Sequence, residues 1–234
     1  MDWLVGVGEW FADPVNWRGP SGVPVLARQH LGYTAAALGL ACLVGLPLGL
    51  WLGHTRRGDV LAVQAANVGR AVPVYALLVV LVLALGRTPQ VALLAFTAFA
   101  VPPVLANTVL GVREVDPAVV EAARGTGMSG WQVLLRVELP LAAPLVVAGV
   151  RSAAVQVVAT VSVAALVAFG GLGAIIVRAT GGVGGLDLPE VVAGSLLVAA
   201  LALAVDGAGA LLARRVDPLA RSRRRARRAI VTTS

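Results

Sequence analysis

The chain reads as five long apolar stretches, separated by short polar joints and by one long polar interruption. Residues 31–53, 60–85, 91–110, 141–169 and 191–213 are each long enough to carry a helix across a ~30 Å hydrocarbon core, which takes roughly 20 apolar residues. The second stretch holds Gln64, Asn67, Arg70 and Pro73 in its first half, so it reads as one kinked helix or as two. The third contains Pro102, Pro103 and Asn107. Ahead of the first, Trp3, Val7, Trp10 and Phe11 recur at helical spacing with Asp2, Glu9 and Asp13 between them, the pattern of a short helix lying at a membrane interface. It lacks the basic start and small-residue cleavage site of a signal peptide. Residues 170–190, GGLGAIIVRATGGVGGLDLPE, read as a loop with a re-entrant or short helical piece.

The polar interruption, residues 115–140, has the signals of a built unit. Asp116 ahead of Pro117 is a helix start, because the carboxylate caps free N–H groups and proline at the first helical position loses nothing by lacking its own. Gly125 and Gly127 break that helix, and Ser129 with Gln132 restarts another as a capping box. Leu139-Pro140 is expected to end it. The predicted product is a helix, a glycine elbow and a second helix, too polar for a bilayer and too structured for a slack linker.

Composition agrees with a membrane protein: 234 residues, 58% hydrophobic and 13% charged, with a mean hydropathy of +0.86. The formal charge of +7 resides wholly in residues 214–234, which carry eight arginines and one aspartate, so no nucleic-acid surface is implied for the body. Every basic residue is an arginine, a bias of coding and not of chemistry. With one cysteine, Cys42, there is no intrachain disulfide, and with two histidines no Cys/His metal cluster. Five spans put the termini on opposite sides. Thirteen arginines fall on the side of the interruption and the tail against four on the other, which predicts an external N-terminus and a cytoplasmic interruption and tail.

The interruption carries a family resemblance. Glu121-Ala122-Ala123, three residues, Gly127, nine residues, then Val137-Glu138-Leu139-Pro140 resembles the EAA loop of ABC importer permeases, with Val137 in place of isoleucine. The wider text, DPAVVEAARGTGMSGWQVLLRVELPLAAPLVVAGVR followed by Gln156 and AFGGLG, is similar to the osmoprotectant branch, permeases for glycine betaine, choline, carnitine or proline betaine. Arg70 to Val74, RAVPV, departs from that branch's Thr-Ile-Pro-Ser run.

The resemblance implies an all-α, polytopic protein of the bacterial cell membrane, with about five transmembrane helices and a cytoplasmic EAA coupling loop between the third and fourth. It divides into an external interfacial segment (1–30), a permease domain (31–213, loop 115–140) and a basic cytoplasmic tail (214–234). It implies ABC ATPase subunits, a second permease, identical or homologous, and an extracytoplasmic substrate-binding protein as partners. Glu121, Ala122, Ala123, Gly127, Leu139 and Pro140 would couple to the ATPase, and ATP and Mg would be bound there, with no cofactor and no catalytic residue in this chain. Another small solute, such as an amino acid or ergothioneine, is the neighbouring reading. A secondary transporter would call for more spans and an internal repeat, and a non-transporting scaffold has no need of arginines inside spans.

Polar residues at membrane depth are the remaining signal. Arg70, Asn107, Gln156 and Thr160 either line the passage or make helix–helix hydrogen bonds. Arg151, roughly 16 Å along a helix from Pro140, and Asp206, roughly 12 Å before Arg214, reach similar depth and are candidates for an ion pair. The glycine run at 170–173 lacks the Gly-Lys-Ser/Thr of a phosphate cradle and reads as a close-packing device. His30 and His54 lie at opposite ends of the first span and cannot join each other in a site. The arginine tail either touches anionic lipid headgroups or serves as a topology anchor.

Overall fold

The computed structural model describes residues 2–57, 64, 73–181 and 185–216, and among these every regular element is a helix. The order is α1 (Asp2–Ala12), α2 (Val23–His54), α3 (Val74–Leu85), α4 (Pro89–Arg113), α5 (Pro117–Gly125), α6 (Gly130–Val133), α7 (Leu139–Ala164), α8 (Gly173–Gly181) and α9 (Leu188–Val216). Four continuous helical segments among the described residues are long and apolar enough to cross a membrane: Val23–His54, Pro89–Arg113, Gly130–Val167 and Leu188–Arg215. The shorter α3 is apolar but has 12 residues, about 18 Å of helix.

Three boundaries differ from the sequence pattern. The first span begins at Val23 and not at residue 31, because Pro24 sits in the first turn, where a missing N–H is tolerated, and because Gln29 and His30, polar enough to look external, find partners. In the second stretch the described helix, α3, starts only at Val74, after Pro73 with its extended backbone (ψ 118°); Arg70 lies outside the described residues. Leu139-Pro140 does not end a helix. The chain runs from α6 through a π-helical turn, Leu134–Glu138, straight into α7. The Leu139 N–H reaches five residues back to the Leu134 carbonyl, and this widened turn accommodates the proline ring that would otherwise strike the preceding turn.

Contacts among the described residues gather the chain into two compact units, one within residues 1–41, 70–100 and 153–206 and the other within residues 42–69, 101–152 and 207–234. In the first, Val23 and Leu26 of α2 bury against Leu172 and Ile175, with Trp10 and Leu197 alongside. His30, fully buried, donates from Nε2 to the Val158 carbonyl at 2.9 Å and accepts the Leu172 N–H on Nδ1 at 3.2 Å. The Gly171 N–H meets the Gln29 side-chain oxygen at 3.3 Å. The loop after α7 is thus hooked onto α2 by its backbone amides.

In the second unit, Gly45, Gly49 and Gly53 form a row at four-residue spacing on α2 that faces Val104, Thr108 and Val112 on α4. A Cβ at Gly49 would lie 2.7 Å from the Thr108 Cβ, so the helices approach as closely as small-residue seams allow. Val112 continues into Ala142 and Val146 of α7, and the Asn107 Cβ fills the space that a side chain at Gly149 would need. In lipid there is no hydrophobic drive between helices, so such contact, rather than apolar burial, holds them together.

Candidate functional site

From Asp116 to Gln132 the polar interruption folds as its caps and the Gly127 elbow predict, except that Gly125 stays helical as the last residue of α5. The Asp116 carboxylate accepts the Ala118 N–H at 2.8 Å and Pro117 opens α5. Gly127 turns the chain at φ +86°, its N–H on the Arg124 carbonyl and that of Met128 on Ala123, which closes the helix end. Ser129 and Gln132 make the capping box in both directions.

What holds the two short helices together is a small core of their own. Val115, Val120 and Val133 are buried, and Ala123 and Met128 pack on them. Ala123 therefore serves the unit's interior, while Glu121 and Ala122 face out with Arg124 and Thr126. The sequence reading missed the exposed apolar residues beside them. Trp131 is 68% exposed, and Leu135, one turn on, and Val119 are exposed as well. An exposed tryptophan amid polar residues is a signal of a docking surface.

At the root of this unit Glu138 ends the π turn and is 4% exposed. Its Oε2 lies 2.5 Å from Nδ1 of His54, the last residue of α2. A carboxylate oxygen is an acceptor, so Nδ1 carries the proton in this contact. The other ring nitrogen, Nε2, is 3.4 Å from where a side chain at Gly130 would begin. Leu139 is half-buried and Pro140 exposed, on the continuing helix.

The polar span residues are more inward-looking than pathway residues need to be. Asn107 donates its amide to the Pro103 carbonyl at 2.8 Å, and Thr160, 4% exposed, donates to the Gln156 carbonyl at 2.8 Å, each one turn back on its own helix. Arg151 lies along Gly209 of α9, and neither Arg151 nor Asp206 is without an interaction partner. Within the first unit a cavity of about 500 Å³ is lined by Gln29, Tyr33, Pro89, Gln90, Leu93 and Phe169. Of the residues chosen from sequence, Asn107, Gln156 and Thr160 do not line it. A polar cleft of about 520 Å³ holds Asp13, Asp187 and Glu190, but these carboxylates are spent on the Val15 N–H, the Glu190 N–H and Arg178 respectively.

Residues 45–218 match the family described as the binding-protein-dependent transport system inner membrane component. The chain is 32% identical over 196 residues to the carnitine transport permease protein OpuCD of Listeria monocytogenes, covering 84% of this chain and 87% of that one. It is 31% identical over 195 residues to the choline transport system permease protein OpuBD of Bacillus subtilis, covering 83% and 85%. A third relative is the glycine betaine/proline betaine transport system permease protein ProW of Escherichia coli, 32% identical over 182 residues, 77% of this chain and 50% of the relative. Among solved structures, a chain of the inward-facing MetNI methionine ABC transporter shares the fold, with a TM-score of 0.69, 24% identity and coverage of 80% and 93%.

Proposed function

The chain belongs to the family of binding-protein-dependent transport system inner membrane components, and from that premise we propose that it is the permease subunit of an ATP-driven importer of small quaternary amines of the carnitine, choline and betaine kind. The observation that supports it best is the capped, glycine-jointed lever continuous with a membrane-spanning helix: α5, the Gly127 elbow and α6 run through the π turn into α7 without an end. A rod with a polar, self-packed head outside the membrane and an apolar shaft inside it is a device for carrying motion between the two.

In this reading the lever head docks on a cytoplasmic ATPase, which binds ATP and Mg. Glu121, Ala122 and the exposed Trp131 present the contact, Gly127 sets the angle, and Leu139-Pro140 join head to shaft. A second permease subunit, identical or homologous, completes the passage, and an external binding protein delivers the substrate. The apolar and amide-lined cavity at Tyr33, Gln90 and Phe169, with two aromatic rings in its wall, suits a small cation with a hydrophobic shell better than Asn107 or Thr160, whose side chains bond their own helices. Gln156 and Arg70 keep their proposed place along the passage, and Arg151 and Asp206 their proposed pairing.

The test is uptake by vesicles reconstituted with all subunits, offered betaine, choline, carnitine, amino acids and ergothioneine. ATP-dependent accumulation of at least one quaternary amine is expected. Uptake of an amino acid such as methionine alone would overturn the substrate class and leave the permease standing.

Orientation has its own expected result. With Ser129→Cys placed in a Cys42→Ala background, an impermeant thiol reagent should label position 129 only after the cells are opened, because the arginine bias puts the lever inside. Labelling in intact cells would reverse the assignment.

A further inference from the structure

The family resemblance gives no role to His54, yet this residue brings the end of α2 into side-chain contact with the lever's root. His54 closes α2, and Glu138, 84 positions later, closes the π turn; Nδ1 and Oε2 are 2.5 Å apart. Glu138 is 4% exposed, and a carboxylate so buried is costly unless it is paired. Gly130, at the start of α6, comes close to the other side of the imidazole. The ring is therefore set between the first turn of the lever's second helix and the last residue of its hinge.

A π turn is a weak point in a helix, since its wider ring of hydrogen bonds is less favourable than the α pattern and readily changes register. A push on the lever head would be taken up by bending at residues 134–138 unless the hinge were held. A helix that ends beside the hinge and grips its last residue holds it, and receives the push as well.

We propose that His54 is a positioning residue for coupling: by donating to Glu138 it ties the π hinge at the root of the lever to the end of α2, so that lever motion moves α2 together with α7. This rests on the permease reading and adds a second route for the motion. The pair should then act as one unit, and its loss should separate ATP hydrolysis from transport without detaching the ATPase, because the exposed Glu121 and Trp131 of the proposed docking surface are left unchanged.

The experiment measures ATP hydrolysed per substrate molecule imported in vesicles containing the complete transporter, with ATPase subunit content determined in the same preparation. His54→Ala and Glu138→Ala are each expected to raise that ratio at least tenfold with the ATPase still bound. The double alanine variant should be no worse than either single one. Glu138→Gln, which keeps an acceptor for the Nδ1 proton, should recover most of the coupling. If an alanine variant fails to reach the membrane, His54→Leu with Glu138→Met removes the tie without leaving a buried carboxylate unpaired, and the same tenfold rise is read on it. A wild-type ratio in the variants that reach the membrane, or effects of the single variants that multiply in the double, overturns the tie. Failure of the wild-type protein to import anything or to bind the ATPase overturns the permease reading instead.

Discussion

Gly127→Val is expected to abolish import while leaving the protein in the membrane at normal abundance. Gly127 holds φ at +86°, and apart from its chain neighbours nothing lies within 4 Å of the position a Cβ would take, so the objection to a side chain is conformational and not a clash with a packed neighbour. An L-residue in the left-handed region costs roughly 1–2 kcal/mol, and a β-branched one lies at the upper end because both its γ carbons crowd the backbone. About 2 kcal/mol shifts the equilibrium roughly 30-fold against the right elbow, since each 1.4 kcal/mol is tenfold. The elbow joins two helices whose small core of Val120, Val133 and Met128 requires that angle, so the head would present Glu121 and Trp131, the proposed ATPase contact, in the wrong relation. The substitution lies outside every membrane-crossing segment, so insertion should be unaffected. Gly127→Asn is the control, because asparagine enters the left-handed region at little cost and should keep most of the transport. Uptake in vesicles with matched permease content checks both variants. Near wild-type import by Gly127→Val would remove the elbow from the mechanism.

The lever was legible in sequence because its instructions are local. A cap lies two or three residues from the groups it serves, as Asp116 and Ser129 do, and a glycine that must turn left-handed sits at the end of the helix it closes. The apolar spans were legible for the same reason, since length and hydropathy are properties of one stretch. The π turn had no such signal. Leu139-Pro140 looked like a stop because proline usually is one, and only the widened turn before it, Leu134–Glu138, lets the helix pass. His54 and His30 were illegible because their partners are distant in the chain: Glu138 for one, Val158 and Leu172 for the other. Asn107 and Thr160 show the opposite difficulty. Their side chains return to a carbonyl four residues back, and a polar residue that bonds its own helix looks, in sequence, the same as one that faces a passage.

Gly173→Ala should produce the complementary failure, a protein that does not accumulate. A Cβ there would lie 2.1 Å from the Ser162 carbonyl oxygen and 2.8 Å from its carbon, and these are backbone atoms of α7 that no rotamer change can move. The residue opens α8, directly after the backbone amides of Gly171 and Leu172 that hook the loop onto Gln29 and His30. To make room, α8 must shift as a body, which loosens Ile175 in the cluster with Val23, Leu26 and Leu172 and withdraws the amide that His30 Nδ1 accepts. Overpacking usually costs about 1–3 kcal/mol, and a backbone obstruction with a buried hydrogen bond at risk belongs at or above the top of that range. The measurement is permease content of isolated membranes together with the temperature of irreversible aggregation in detergent. Content several-fold below wild type is expected, with the surviving fraction aggregating at a lower temperature. Wild-type values in both would mean that α8 does not pack against α7 through Gly173, and the run Gly170-Gly171-Leu172-Gly173 would then lose its reading as the clasp that lets backbone meet backbone.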